Sequence, residues 1–116
     1  MKSLASFKAL YVHREAVDMR KNINGLSAIV QEEMKLELKS SSLFIFCNRR
    51  RTHMKILYFD KSGFALWLKR LEGSKFPWPK NFDQETISVT AADMELLLDG
   101  INVWTRFKEV HFETVI

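Results

Sequence analysis

Arg49, Arg50 and Arg51 follow one another between two apolar, β-prone runs, 43–47 and 53–59. A polar stretch in that setting is a hairpin tip, where three guanidiniums stay in solvent and each can grip a phosphate through paired hydrogen bonds. Lys55 and Lys69 fall on the strands that follow. A tight turn at 60–63 would set them within about one rung of each other and extend the patch across the sheet. Arg70 and Lys75 come next, and Arg20 and Lys21 form a smaller basic pair in an earlier polar connection. Residues 49–80 hold nine basic side chains against two acidic ones, Asp60 and Glu72, a local charge of +7 in a chain of +4. The rest of the chain is therefore −3. A block of one sign favours a polyanionic partner, DNA first and RNA by the same electrostatics. A solvated basic face with no ligand is the competing reading.

Aromatic residues interleave with these cations. Trp67 sits in mid-strand and belongs in the core, whereas Phe76 and Trp78, beside Lys75 and Lys80, are candidates for stacking on unpaired bases. Each such stack contributes about 1–3 kcal/mol. Against this, Pro77 and Pro79 bracket Trp78, which suits an indole that pins a loop onto the core. Catalysis finds little support. His13, His53 and His111 are scattered, without the i, i+4 spacing of a helical metal site. Asp60 and Glu72 are too few for a two-metal centre, which needs several converging carboxylates. No nucleophile elbow or phosphate-cradling glycine loop occurs, and Cys47 lies in an apolar strand as a small filler. No catalytic residue, metal or cofactor is expected.

The elements that must position these residues follow from length and patterning. With 116 residues, 47% of them hydrophobic and 28% charged, the chain suits one domain spanning 1–116. One cysteine excludes an internal disulfide. The longest apolar runs, 43–47 and 64–68, have five residues, where a membrane span needs about 20. The N-terminus has no long apolar stretch, so a cytoplasmic chain is expected. Ala9-Leu10-Tyr11-Val12 reads as a first strand. Ile23, Leu26, Val30, Met34 and Leu38 then recur at helical spacing, predicting a helix of about four turns in which Gly25 permits a close approach. Residues 43–47, 53–59 and 64–70 form three strands with short connections, hence an antiparallel meander. Its apolar residues occupy both alternating faces, so the sheet is covered on both sides at least in part. Thr86-Ile87-Ser88-Val89 is a further strand. Thr90 caps a second helix whose apolar stripe is Met94, Leu97, Leu98 and Ile101 and whose terminator is Gly100. The tail, 107–116, reads as a strand or a frayed end. The fold class is α+β: an antiparallel meander sheet with two helices.

Several of these segments, in this order, resemble one family. Asp18-Met19-Arg20-Lys21 followed by Gly25-Leu26 is similar to the signature DMRKG…GL of the TnpB (Orf2-like) accessory proteins of bacterial insertion-sequence family sixty-six. The likeness continues through Leu43-Phe44-Ile45-Phe46, Asn48-Arg49-Arg50-Arg51 and Lys55-Ile56-Leu57-Tyr58. Lys69-Arg70-Leu71-Glu72 and Phe76-Pro77-Trp78-Pro79 look like the family's KRLE…F…WP, and Leu97-Leu98 with Gly100-Ile101 like its LLxGI. Asn22-Ile23-Asn24-Gly25 stands where the family usually has Gly-Phe-Asp-Gly. The resemblance covers 11–101 and implies a role in transposition beside a separate transposase and another accessory protein. It does not supply a molecular mechanism. The charge leads to the expectation of electrostatic clamping of DNA through 49–80, and the resemblance implies the element ends as the place and a non-enzymatic role. An adaptor that binds the transposase through an apolar patch is the alternative.

Overall fold

The computed structural model describes residues 3–107. β1 (Ala9–His13), β2 (Ser42–Cys47), β3 (His53–Asp60), β4 (Gly63–Arg70) and β5 (Thr86–Val89) form one sheet in the order β4-β3-β2-β1-β5. The meander β2–β3–β4 is antiparallel, as its short turns require. β1 lies parallel to β2, so residues 14–41 must cross one face of the sheet, and α1 (Ile23–Ile29) makes that crossing. β5 closes the other edge, antiparallel to β1. The α+β expectation holds, with a mixed rather than wholly antiparallel sheet.

Both faces are covered, because β2 is central and apolar on both alternations. Phe44 and Phe46 face α1, whose Leu26 and Ile29 meet them with Val30, Met34, Val17 and Leu38. Leu43, Ile45 and Cys47 face the other way, onto Leu4, Met94 and Leu97 and the aromatics Phe7, Phe76, Trp78 and Trp104. Each fully buried large side chain contributes roughly 1.5–3 kcal/mol by leaving water. Phe44 and Phe46, with no exposed surface, are among the strongest of these.

The first helix is shorter than its periodicity predicts. After Ile29 the backbone widens into a π-helical stretch, Val30–Met34, and Lys35 turns left-handed at φ 56°. The Leu36 amide then donates to the Val30 carbonyl at 3.1 Å and ends the helix. Leu38 is still buried, but from irregular chain. Gly25 does mark a close approach: a Cβ there would sit 3.2 Å from the Cβ and Cγ of Lys21.

α2 (Ala91–Leu98) starts where Thr90 predicts. Thr90 Oγ1 accepts from the Asp93 amide at 3.0 Å, and Asp93 Oδ2 accepts from the Thr90 amide at 3.3 Å. Asp93 is buried, and its other oxygen accepts from Arg106. Gly100, at φ 80°, turns the chain away after Leu98, which leaves Ile101 outside the apolar stripe and 48% exposed. Phe107 is helical; the remainder of the expected tail, 108–116, lies outside the described residues.

This capping box generates a stability prediction. Thr90→Ala should cost about 1 kcal/mol. Asp93→Ala should cost more, about 2–3 kcal/mol, because it removes both the cap and the buried acceptor of Arg106. Urea denaturation with an unchanged m-value checks both.

Candidate nucleic-acid interface

The C-terminal ends of β1 and β2, the start of β3 and the end of β4 meet at one end of the sheet. The β2–β3 tip there is built on Asn48. Its Oδ1 accepts from the amides of Thr52 (2.9 Å) and His53 (3.0 Å), and its Nδ2 donates to Thr52 Oγ1 at 3.0 Å. Arg51 takes a left-handed backbone, φ 63°, as its amide donates to the Asn48 carbonyl at 3.1 Å. Arg49 and Arg50 project into solvent. Arg51 does not: it is half-buried, its guanidinium 5.7 Å from the ring centre of Trp78. The three arginines expected to act alike are two free cations and one folded back.

Two backbone bonds stitch the 71–76 loop to this tip. The Leu71 amide donates to Thr52 O (3.0 Å) and the Phe76 amide to Arg51 O (2.7 Å). Lys75 and Lys80 are thereby brought beside Arg51, although about 25 residues separate them in sequence. Together they border an open groove of about 380 Å³. Phe76, Pro77, Trp78 and Trp104 form its apolar wall, and Asn102 and Thr105 complete its rim. The wall is rigid. Trp78 Nε1 donates to Arg14 O at 3.0 Å, Trp104 Nε1 donates to Pro77 O at 2.8 Å, and the two indoles meet edge to face at 6.5 Å.

Other expected contacts fall elsewhere. Lys55 is 7% exposed, and its ammonium donates to Met19 O (2.7 Å), Lys21 O (2.7 Å) and Asn22 Oδ1 (3.1 Å). It ties the 19–22 segment to the sheet and cannot reach a phosphate. Lys55 pairs with Leu68 and Met54 with Lys69, so the two lysines are one rung apart yet on opposite faces of the sheet. Lys69 instead donates to Leu98 O at 2.7 Å, at the carbonyl end of α2 where a cation is favourable. Arg70 is exposed but paired with Glu72 at 2.7 Å. Arg20 is paired with Asp18 at 2.6 Å, and its hydrogen bonds hold the Asp18 carboxyl down at about 2. Lys21 is exposed beside it. Phe76 and Trp78, 1% and 5% exposed, present no open face for a base and serve as core and wall.

The chemistry of catalysis is likewise dispersed. Asp60 and the Arg70–Glu72 corner stand at opposite ends of the β3–β4 ladder, roughly 25 Å apart at the usual strand rise, so they cannot share a metal. His13 is buried between Glu15 O (2.9 Å) and Glu33 Oε1 (3.4 Å), and His53 bonds Thr52 Oγ1 at 2.8 Å. Among the described residues no three His, Cys, Asp or Glu side chains gather as a metal site, and His111 lies outside them. Burial pushes the Cys47 thiol up to about 11. Lys80, Asn102, Trp104 and Thr105 were not marked as site residues by sequence patterning. The density of lysine and tryptophan around Pro77 and Pro79 was a signal for Lys80, whereas nothing around Asn102, Trp104 and Thr105 marked them.

Two measurements check this assignment of roles. Lys55→Ala should destabilise by about 2–4 kcal/mol, since it removes three hydrogen bonds made by a buried ammonium, while Lys75→Ala stays within about 0.5 kcal/mol. Cys47 should resist a disulfide reagent at pH 8 in the folded protein and react once urea unfolds it. Its raised pKa also fixes a sign. The unfolded thiol loses its proton first, so stability falls as pH rises from about 9 toward about 11.

The family described as IS66 Orf2 like protein matches residues 8–108, a span containing all five strands, both helices, the arginine tip and the groove. Two curated proteins of Sinorhizobium fredii (strain NBRC 101917 / NGR234) are similar. Uncharacterized protein y4hO is 34% identical over 92 residues, 79% of this chain and 78% of that protein. Uncharacterized protein y4jC is 31% identical over 99 residues, 85% of this chain and 83% of that protein. No solved structure matches the chain. Among the described residues no helix is long and apolar enough to cross a membrane. The motifs, their order and this coverage agree: the chain belongs to the IS66 Orf2-like (TnpB) family and is a transposition-associated accessory protein of an insertion element.

Proposed function

We propose that this accessory protein binds DNA without catalysis, its basic end clamping the phosphate backbone at the ends of the element. One observation carries the reading. Arg49, Arg50, Arg51, Lys75 and Lys80 collect at a single end of the sheet, and none has a carboxylate partner among the described residues. Arginine there offers forked donors matched to phosphate, and lysine a mobile point charge. Arg70, paired only with exposed Glu72, can exchange that carboxylate for a phosphate at little cost. Contacts of this kind position a protein on a duplex without reading its sequence. Sequence preference then comes from the transposase and the other accessory protein, the further partners in this reading.

A second reading, an adaptor for the transposase, is favoured by a separate feature. Leu96 and Ile101 are 40% and 48% exposed near the end of α2, whereas the 54% exposed Leu68 of β4 lies on the opposite face of the sheet. The two readings separate experimentally. With three to five phosphates engaged, log K should fall against log salt with a slope of about −3 to −5, at micromolar affinity. The triple variant Arg49→Ala, Arg50→Ala, Arg51→Ala should still fold, losing about 1 kcal/mol with the Arg51–Trp78 contact, weaken binding to all duplexes alike and flatten that slope by up to about three units. Salt-independent binding sinks the clamp. A triple variant that supports transposition and still retains the transposase in a pull-down moves the function to the adaptor surface.

A further inference from the structure

We infer that the groove bordered by Arg51, Lys75 and Lys80 is a distinct phosphate site sized for one nucleotide, taking the unpaired end of a DNA strand rather than duplex. This rests on the clamp reading above and names the substrate geometry within it. Among the described residues, three cations and no carboxylate border a space of about 380 Å³. Held close in a site partly walled by aromatic carbon, they repel one another unless an anion bridges them. That volume lies in the range of small-ligand pockets and suits one nucleotide. A duplex, whose major groove alone is about 12 Å wide, is too broad to enter.

The polar groups are arranged for the phosphate and sugar. Arg51 is set in advance by its left-handed backbone and by the face of Trp78. Asn102 Oδ1 is occupied by the Trp104 amide at 2.9 Å, so its amide nitrogen remains to donate into the groove. The Thr105 hydroxyl is exposed on the same rim. The wall cannot read a base: both indole N–H groups are bonded to carbonyls, and Trp78 and Trp104 are 5% and 3% exposed. Recognition is therefore of phosphate and independent of base identity. Arg49 and Arg50 lie outside the groove, on the open tip, where a duplex backbone can rest. The combination fits a junction between duplex and single strand.

The groove carries its own reporters, since Trp78 and Trp104 line it. Tryptophan fluorescence is titrated with a 5′-phosphorylated four-residue oligothymidylate, the same oligomer without the phosphate, thymidine 5′-monophosphate and a blunt duplex. The expected result is a saturable fluorescence change with the phosphorylated oligomer. Lys75→Ala with Lys80→Ala should weaken that binding tenfold or more and affect the blunt duplex far less. Arg49→Ala with Arg50→Ala should do the reverse. All four sites are exposed, and unchanged melting temperatures confirm that the variants fold. If Lys75 and Lys80 matter equally for duplex and oligomer, the groove is part of one continuous clamp and this inference fails while the clamp survives. No fluorescence change with any single-stranded probe also overturns it. Binding of the mononucleotide alone, with no affinity for either DNA, keeps the phosphate site but removes the strand, and it defeats the clamp as well.

Discussion

All six residues of β2 are buried, and that one fact constrains the rest of the molecule. A strand apolar on both alternations needs cover on both sides, and the two longer helices among the described residues, α1 and α2, are both short. On the Phe44–Phe46 side, α1 and its π-helical extension suffice. On the other side α2 reaches only part of the sheet, and irregular chain supplies much of the remainder through Phe76, Trp78 and Val103, with Trp104 from the helical turn at 104–107. Loops carry polar backbone groups that must be bonded when buried. Here the indoles themselves satisfy some of these, Trp78 at Arg14 O and Trp104 at Pro77 O. The aromatic loop is a structural necessity, and it delivers Lys75 and Lys80 to the arginine tip. The groove is thus a by-product of completing the core with side chains too large for a flat lid.

Much of this was legible in the sequence, and the reasons are local. Strands 43–47, 53–59 and 64–70 announce themselves by β-branched and aromatic content with turn residues between them, and the Thr90 cap acts within three residues of itself. The end of the first helix was not legible. Lys35 adopts a left-handed backbone that a sequence usually marks with glycine, and the periodic Leu38 continues past it. The parallel pairing of β1 with β2 was also hidden, because nothing in either strand specifies direction.

The candidate site shows the same division. Arg49 and Arg50 could be placed from their turn alone, since a hairpin tip has solvent around it. Lys55 could not, because the carbonyls of Met19 and Lys21 that hold it lie more than thirty residues away. Strand alternation did carry the information that separates Lys55 from Lys69: adjacent rungs point to opposite faces. The aromatic–basic interleaving at 75–80 does not place its rings for stacking, since Phe76 and Trp78 are buried as a wall while Lys75 and Lys80 stay exposed.

Net charge alone would not distinguish a ligand-binding surface from a soluble one; the pattern of pairing does. Arg14, Arg20, Arg70 and Arg106 each meet a carboxylate, at Glu85, Asp18, Glu72 and Asp93. Lys55 and Lys69 are spent on carbonyls inside the fold. The chain has 14 acidic residues, so it does not lack counter-charge. Yet Arg49, Arg50, Arg51, Lys75 and Lys80 stand together at the end of the sheet where two loops are bonded to each other, with no carboxylate partner among the described residues. Their mutual repulsion opposes folding, and Arg51 offsets part of it by stacking on Trp78 and donating to the Asn48 carbonyl at 3.4 Å. In the proposed clamp an anion stabilises this cluster, and phosphate is the anion whose geometry forked guanidiniums match.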